Sequence, residues 1–136
     1  MPVRIAVLSI DAVDTGRVAD FWADALGWEA RPDPDEGLVS LGPAGKWDQS
    51  GASGPSIDIV PVPERKTVKN RLHLDLRADG GTQAEEVERL VALGATRADV
   101  GQGEDASWVV LADPEGNEFC VLHRSVQEAQ AATSQD

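Results

Sequence analysis

The residues of this 136-residue chain best suited to chemistry are a histidine and several carboxylates on candidate strands. In the alternating segment Arg71–Arg77, three leucines share one face of a predicted strand, and His73 and Asp75 share the other. The leucines should pack on a helix, so we expect His73 and Asp75 to face the opposite space. An imidazole beside carboxylates can hold a divalent metal. The alternative is a hydrogen-bonded histidine that lines a pocket without metal.

Two further carboxylates take matching places in the two halves of the chain. Glu118 is the first residue of the last predicted strand, and Asp58 occupies the corresponding place in the first half. We expect His73, Asp58 and Glu118 to converge, with Glu118 or Asp58 as the proton carrier. One imidazole and two carboxylates form an oxygen-rich set, which favours manganese, iron, nickel or magnesium over a thiolate-type zinc site.

Two series of predicted elements position these residues, each in the order strand, helix and three strands. The first series is Val3–Asp11, a helix from Asp14 and Thr15 to Gly27, Trp28–Arg31, Gly37–Leu41 and Ile57–Val62. The second series is Arg71–Arg77, a helix from the capping box of Thr82 and Glu85 to Gly94, Thr96–Asp99, Ser107–Ala112 and Glu118–His123. The repeated order indicates an internal duplication.

A βαβββ half covers only one face of its sheet with its own helix, so two halves must pair to enclose the rest. The predicted fold class is therefore α+β, with two tandem βαβββ modules that form an open barrel-like sheet around a central chamber. We place module one at residues 1–63 and module two at 69–124, in a single domain spanning 1–124. The tail Ser125–Asp136 has no apolar period and is predicted to be disordered.

With this element order, the sequence resembles the vicinal oxygen chelate superfamily of glyoxalases, bleomycin resistance proteins and ring-cleaving dioxygenases, and within it the small glyoxalase-like subgroup. The resemblance rests on Asp20-Phe21-Trp22, Leu26-Gly27-Trp28, the segment from Lys69 to Leu76, Leu93-Gly94-Ala95 and the segment from Asp113 to Phe119. It implies a homodimer and a divalent metal (Mn, Ni, Fe or Zn). His73 and Glu118 match the family's ligand positions and Asp58 matches more loosely. On the first strand, Val7 cannot bind metal, and Ser9 and Asp11 are displaced by one or two pleats.

Several other residues are candidates for the ligand pocket. Trp47 lies in the Gly/Pro-rich segment Gly42–Ser56, where it could form a lid over the chamber or contact a second subunit. Trp108 and Cys120 could line the chamber or pack in the core. Asp75 would orient His73 from behind. His123, five residues after Glu118, falls on the opposite strand face, which disfavours a two-histidine iron centre and its dioxygenase chemistry.

Composition excludes several classes of function. The net charge of −12 makes nucleic acid an unfavourable partner, and no run approaches the ~20 apolar residues of a membrane span. A single cysteine with no secretory signal indicates a cytoplasmic protein. Two functions for a small-molecule ligand remain. One is a metal-dependent lyase or isomerase for substrates with vicinal oxygens. The other is a metal-free protein of the bleomycin-resistance type that sequesters a drug or antibiotic.

Overall fold

The computed structural model describes residues 1–134, which form two units, one spanning Met1–Arg65 and one from Lys66 onward. The first unit contains β1 (Val7–Ala12), α1 (Thr15–Leu26), β2 (Trp28–Asp33), β3 (Leu38–Pro43) and β4 (Ser56–Pro61). The second contains β5 (Asp75–Leu76), α2 (Gln83–Leu93), β6 (Thr96–Arg97), β7 (Val109–Ala112), β8 (Glu118–Val121) and α3 (Val126–Ser134). The boundary between the units falls between the two modules predicted from the sequence.

The two sheets share one topology. Their strand orders are β1-β4-β3-β2 and β5-β8-β7-β6. In each sheet the first strand pairs with the last in parallel, and the other neighbours are antiparallel. The predicted α+β class with two βαβββ modules is therefore confirmed.

Local signals fix both central helices. The Asp14 carboxylate accepts a hydrogen bond from the Arg17 N–H at 3.1 Å, and α1 ends at Gly27, whose φ of 66° favours glycine. Helix α1 buries Val18, Ala19, Phe21 and Trp22, and it packs against β2, β3 and β4. Helix α2 begins with the predicted capping box of Thr82 and Glu85.

The strand predicted over Arg71–Arg77 is much shorter in the structure. Only Asp75 and Leu76 form a ladder with β8, and Leu72 is 85% exposed instead of packing on a helix. The cause lies in the partner strand, because Asp75 is opposite Cys120 and β8 begins only two residues earlier. Extending β5 back to Arg71 would place Arg71 opposite Gly116, in the turn that precedes β8.

The predicted disorder of the tail is wrong for Val126–Ser134, which form α3. The Ser125 hydroxyl accepts from the Glu128 N–H, and the Glu128 carboxylate accepts from the Ser125 N–H, both at 3.1 Å. This is a second capping box. The Val126 N–H also donates to the Ala78 carbonyl at 2.9 Å, which attaches α3 to the second unit. Gln135 and Asp136 lie outside the described residues. No described helix is long and apolar enough to cross a membrane.

Replacing Ser125 with alanine is expected to cost about 1 kcal/mol of stability, because the buried cap of α3 is lost. Hydrogen bonds from the Ser125 backbone N–H and hydroxyl lower the pKa of Glu128 below its usual 4.5. The wild-type cap is therefore stable above pH 4.5 and weakens as pH falls through the lowered pKa. Amide hydrogen exchange in α3, followed as a function of pH, measures the stability of the cap. Equal exchange in Ser125→Ala and wild type would contradict the assignment of the cap.

Candidate functional site

The second unit contains a cavity of about 470 Å³. Its polar lining residues are Lys69, His73, Asp75, Gln102, Glu118 and Cys120. Its apolar lining residues are Val100, Trp108, Val110, Phe119 and Leu122, with Gly101 beside them. An apolar wall with a few convergent polar groups is typical of a small-molecule site. The cavity therefore has the composition expected of a ligand pocket.

Three potential metal ligands meet on the wall of this cavity. The Nδ1 atom of His73 lies 3.1 Å from Oδ1 of Asp75 and 4.0 Å from Sγ of Cys120. The ligand atoms of the three residues all lie within 4.8 Å of one another. The register explains the arrangement, since Asp75 on β5 is directly opposite Cys120 on β8. The His73 and Asp75 side chains are 42% and 48% exposed, so a ligand can reach them.

The Cys120 thiol is neutral in this environment. Burial raises its pKa above 9.0, and the nearby Asp75 carboxylate raises it further, whereas Lys69 opposes the rise. A neutral thiol is a poor nucleophile, so the geometry gives no support to thiol catalysis. A divalent cation would reverse this preference, because it favours the thiolate. An imidazole, a carboxylate and a thiol suit zinc, nickel or iron, so the donor set fits a metal ion.

Glu118 lines the same cavity, but its carboxylate forms an ion pair with the Lys66 ammonium. The two side chains are 10% and 21% exposed, and the Asn70 N–H also donates to Glu118 at 3.4 Å. Burial alone would raise the pKa of Glu118. Hydrogen bonds from Lys66 and from the backbone N–H groups of Glu118 and Asn70, together with the charge of Lys66, outweigh burial, so the pKa is lowered. Glu118 as a metal ligand stays a prediction, and that role would require its carboxylate to leave Lys66.

Glu118→Gln is expected to destabilise the protein by about 2–4 kcal/mol, because the largely buried Lys66 ammonium loses its counter-charge. Lys66→Met in the Glu118→Gln background should recover most of this loss. The wild type should also lose stability as pH falls below 4.5, the usual pKa of Glu118, whereas Glu118→Gln should not show this component. Urea unfolding at pH 7 and at pH 3.5 measures both effects. Equal stability of wild type and Glu118→Gln at pH 7 would contradict a stabilising role for the ion pair between Lys66 and Glu118.

Asp58 lies on β4 of the first unit, in a hydrogen-bonded cluster. Its Oδ1 atom accepts from the Ser40 hydroxyl and from the Gln49 amide, both at 2.8 Å. Ser9 of β1 is directly opposite Asp58, whereas Asp11 lies further along β1 and is exposed. The convergence of Asp58 with His73 stays a prediction.

The strand registers identify which residues correspond in the two sheets. Ala30 and Arg97 each lie three residues after the glycine that ends the preceding helix, so they correspond. Across the first sheet, Ala30 is opposite Leu41, which is opposite Ile57. Across the second sheet, Arg97 is opposite Leu111, which is opposite Phe119. Asp58 therefore corresponds to Cys120, and Glu118 corresponds to Ser56. The predicted equivalence of Asp58 and Glu118 is wrong by two residues. It matched the first residues of the two predicted strands, but β4 begins one residue earlier than predicted, and corresponding residues are defined by cross-strand pairing and not by where a strand begins.

The remaining predicted pocket residues lie in different places. Trp108 lines the cavity of the second unit and is 40% exposed. Trp47 belongs to the first unit, where its ring contacts Arg31 of β2 and lies next to Gly42 of β3. Its role as a chamber lid stays a prediction.

Sequence reasoning did not identify Lys69 and Gln102 as cavity residues. Gln102 belongs to the loop between β6 and β7, where its amide is held by the Val100 N–H at 2.8 Å and the Ala98 carbonyl at 3.1 Å. The glycines at 101 and 103 mark that segment as a turn-rich loop, and such loops often carry binding residues. This signal could have indicated the loop but not the direction of its side chains.

The family model for the glyoxalase-like domain matches residues 7–122, and the chain belongs to that family. Its fold is that of the vicinal oxygen chelate superfamily. None of the curated proteins compared with this sequence matches it.

Three solved structures illustrate the likeness of fold. A glyoxalase/bleomycin resistance protein/dioxygenase family enzyme from Burkholderia phytofirmans is 18% identical, with a TM-score of 0.62 over 88% of this chain and 97% of that one. The fosfomycin resistance protein FosX from Listeria monocytogenes, in complex with Mn(II) and 1S,2S-dihydroxypropylphosphonic acid, is 15% identical, with a TM-score of 0.64 over 98% and 99%. TnmS3, an antibiotic-binding protein from Streptomyces sp. CB03234, is 18% identical, with a TM-score of 0.58 over 91% and 98%.

Proposed function

We propose that this protein is a metal-dependent lyase or isomerase for small molecules with neighbouring oxygen atoms, and that the second unit's cavity is its active site. The observation that carries the proposal is the convergence of His73, Asp75 and Cys120 on the cavity wall. The likeness to FosX, which was crystallised with Mn(II), supports a metal-dependent reaction in this fold. A cytoplasmic location and a homodimer remain predictions from the sequence.

In this proposal, His73, Asp75 and Cys120 hold the metal. A divalent cation held by these residues would supply Lewis-acid chemistry for a substrate carbonyl. The predicted oxygen-rich set of His73, Asp58 and Glu118 is replaced by a softer set with one sulfur, which favours zinc, nickel or iron over magnesium.

The chain's own residues then supply the base and the binding surface. Glu118 accepts the substrate proton, because Lys66 keeps its carboxylate ionised at the cavity wall. Trp108 and Phe119 hold the apolar body of the substrate and exclude water from the cavity. Lys69, on the same wall, favours substrates whose oxygens carry negative charge.

The alternative function is a metal-free protein that binds and sequesters an antibiotic. The neutral Cys120 thiol and the apolar residues around it favour this alternative, since they offer a surface for an apolar ligand. The antibiotic-binding protein TnmS3 shares the fold, which supports the same alternative.

Calorimetric titration with zinc, nickel, iron(II) and manganese separates the two functions. Zinc and nickel are expected to bind more tightly than manganese because of the Cys120 sulfur. Cys120→Ser replaces a direct ligand and should lower the zinc affinity at least about 10- to 100-fold, the loss that follows even from removing an outer-shell partner. Glu118→Gln should leave the zinc affinity nearly unchanged. If none of the four metals binds the wild type, the metal-free function replaces the proposal.

A further inference from the structure

Among the polar residues that line the cavity of the second unit, Gln102 has no part in the proposed reaction. The other five would hold the metal, accept a proton or attract negative charge. The side-chain amide of Gln102 carries no charge, and it offers a carbonyl oxygen that accepts and an NH2 group that donates. Its contribution to a binding site is therefore recognition by hydrogen bonds.

The pairing register places the metal-ligand cluster and Gln102 toward opposite edges of the second sheet. Asp75 of β5 is opposite Cys120 of β8, which is opposite Val110 of β7. The N–H of Ala98, just beyond β6, donates to the Val110 carbonyl at 3.0 Å, so Ala98 continues this row at the other edge. Three spacings between neighbouring strands, about 14 Å in all, separate β5 from β6. A ligand that reaches both the metal cluster and Gln102 must therefore extend across the sheet.

The Gln102 amide is held in one orientation by the backbone of its own loop. Its Oε1 atom accepts from the Val100 N–H at 2.8 Å, and its Nε2 atom donates to the Ala98 carbonyl at 3.1 Å. Because the backbone supplies one donor and one acceptor, the two ends of the amide cannot be exchanged without losing both hydrogen bonds. Ala98 is in turn bonded to β7, so the amide is fixed relative to the sheet. A group held in this way is preorganised for recognition.

Each end of this amide keeps one further hydrogen-bonding position among the described residues. A side-chain amide can accept two hydrogen bonds and donate two, and Gln102 uses one of each. Gln102 is half-buried, so a ligand that fills the cavity would displace water from these positions. A ligand with a hydroxyl there would replace the lost hydrogen bond, whereas a ligand with a C–H group there would leave it unmade. This difference is worth about tenfold in affinity.

The surface between the two ends is apolar, and Gln83 holds two of its residues in place. The Gln83 amide donates to the Ser107 carbonyl at 2.9 Å and to the Val121 carbonyl at 3.0 Å. Trp108 and Leu122, which directly follow these carbonyls, both line the cavity. One residue of α2 therefore fixes the backbone beside both, and the cavity offers a preformed surface for an aromatic ring.

We propose that Gln102 is a specificity-determining residue of this cavity. The substrate then has an apolar or aromatic body, with its neighbouring oxygens at one end and a neutral hydroxyl or amide group at the other. Gln102 selects for that distal group, and a similar molecule without it binds more weakly. The inference rests on the proposed function for the position of the neighbouring oxygens, whereas the selection by Gln102 does not require a metal.

The test compares two probes that differ in one hydroxyl group, 4-hydroxyphenyllactate and phenyllactate. Each has a carboxylate and a neighbouring hydroxyl at one end and an aromatic ring at the other. Calorimetric titration of the wild type is expected to show about tenfold tighter binding of the hydroxylated acid. In Gln102→Met, which keeps the length of the side chain but removes the amide, the two affinities should become equal. Gln130→Met, which changes an exposed glutamine of α3, is the matched control and should keep the wild-type ratio.

Titration of the same proteins with zinc alone separates this inference from the proposed function. If zinc does not bind but Gln102→Met abolishes the preference for the hydroxylated acid, the metal proposal fails and the role of Gln102 stands. Equal affinity of the wild type for the two acids, absence of binding by either acid, or a ratio that Gln102→Met leaves unchanged would overturn the inference, whether or not zinc binds. Thermal unfolding verifies that each variant is folded, and Gln102→Ala takes the place of Gln102→Met if the latter does not fold.

Discussion

His73→Ala is expected to lower the affinity for zinc about 100-fold while changing the free energy of unfolding by less than about 1 kcal/mol. The His73 side chain is 42% exposed, so removing it sacrifices little buried surface and should change the stability little. Its imidazole, however, contacts both other members of the cluster, Asp75 at 3.1 Å and Cys120 at 4.0 Å. Losing it removes one of the three ligands and its contacts with the other two.

His123→Ala is the matched control, because His123 is the only other histidine, is exposed and does not line the cavity. It should bind zinc as the wild type does. Calorimetry at pH 7 measures the affinities, and urea unfolding measures the stabilities. The metal assignment fails if the two histidine variants lose the same affinity, or if His73→Ala binds zinc normally.

Gly42→Ala is expected to destabilise the protein by about 1–3 kcal/mol. The added Cβ would lie 2.1 Å from Cδ2 and 2.4 Å from Cε3 of Trp47, so the ring must move. Moving it breaks the stacking contact with Arg31 and weakens the 3.4 Å hydrogen bond from the indole N–H to Glu29. Urea unfolding followed by circular dichroism measures the loss.

Two controls separate this clash from a general effect of alanine. Gly16→Ala places a Cβ in ordinary contact, 3.8 Å from Asp14, within the first turn of α1, and should not destabilise the protein. In a Trp47→Ala background, Gly42→Ala should cost little, because the ring it would strike is absent. An equal cost of Gly42→Ala in both backgrounds would show that Trp47 does not lie against β3.

The helices were predictable from the sequence because their signals are local. Asp14, Gly27, Thr82 and Glu85 act within one turn of the backbone that they cap. The same logic applies to α3, whose Ser125 and Glu128 form a capping box of the kind identified for α2. The missing apolar period predicts a disordered tail, yet the chain forms a helix there with a capping box and a hydrogen bond to Ala78.

The candidate site was less predictable because it depends on register between distant strands. Alternation indicated that His73 and Asp75 share a face, but pairing of Asp75 with Cys120 links residues 45 positions apart. No local pattern encodes that pairing. The same limit explains the mistaken equivalence of Asp58 and Glu118, and the overlong strand at Arg71–Arg77. It also explains why the contact of Gln49 with Asp58 was not foreseen, since a loop's path over a sheet has no periodic signal.

The visible and near-ultraviolet spectrum of the protein with one equivalent of cobalt(II) tests the central claim most directly. If His73, Asp75 and Cys120 hold the metal, the wild type should show a thiolate-to-cobalt charge-transfer band. The band should disappear in Cys120→Ser, and in His73→Ala at the same cobalt concentration. A wild-type spectrum without the band, or one that Cys120→Ser leaves unchanged, would contradict the account.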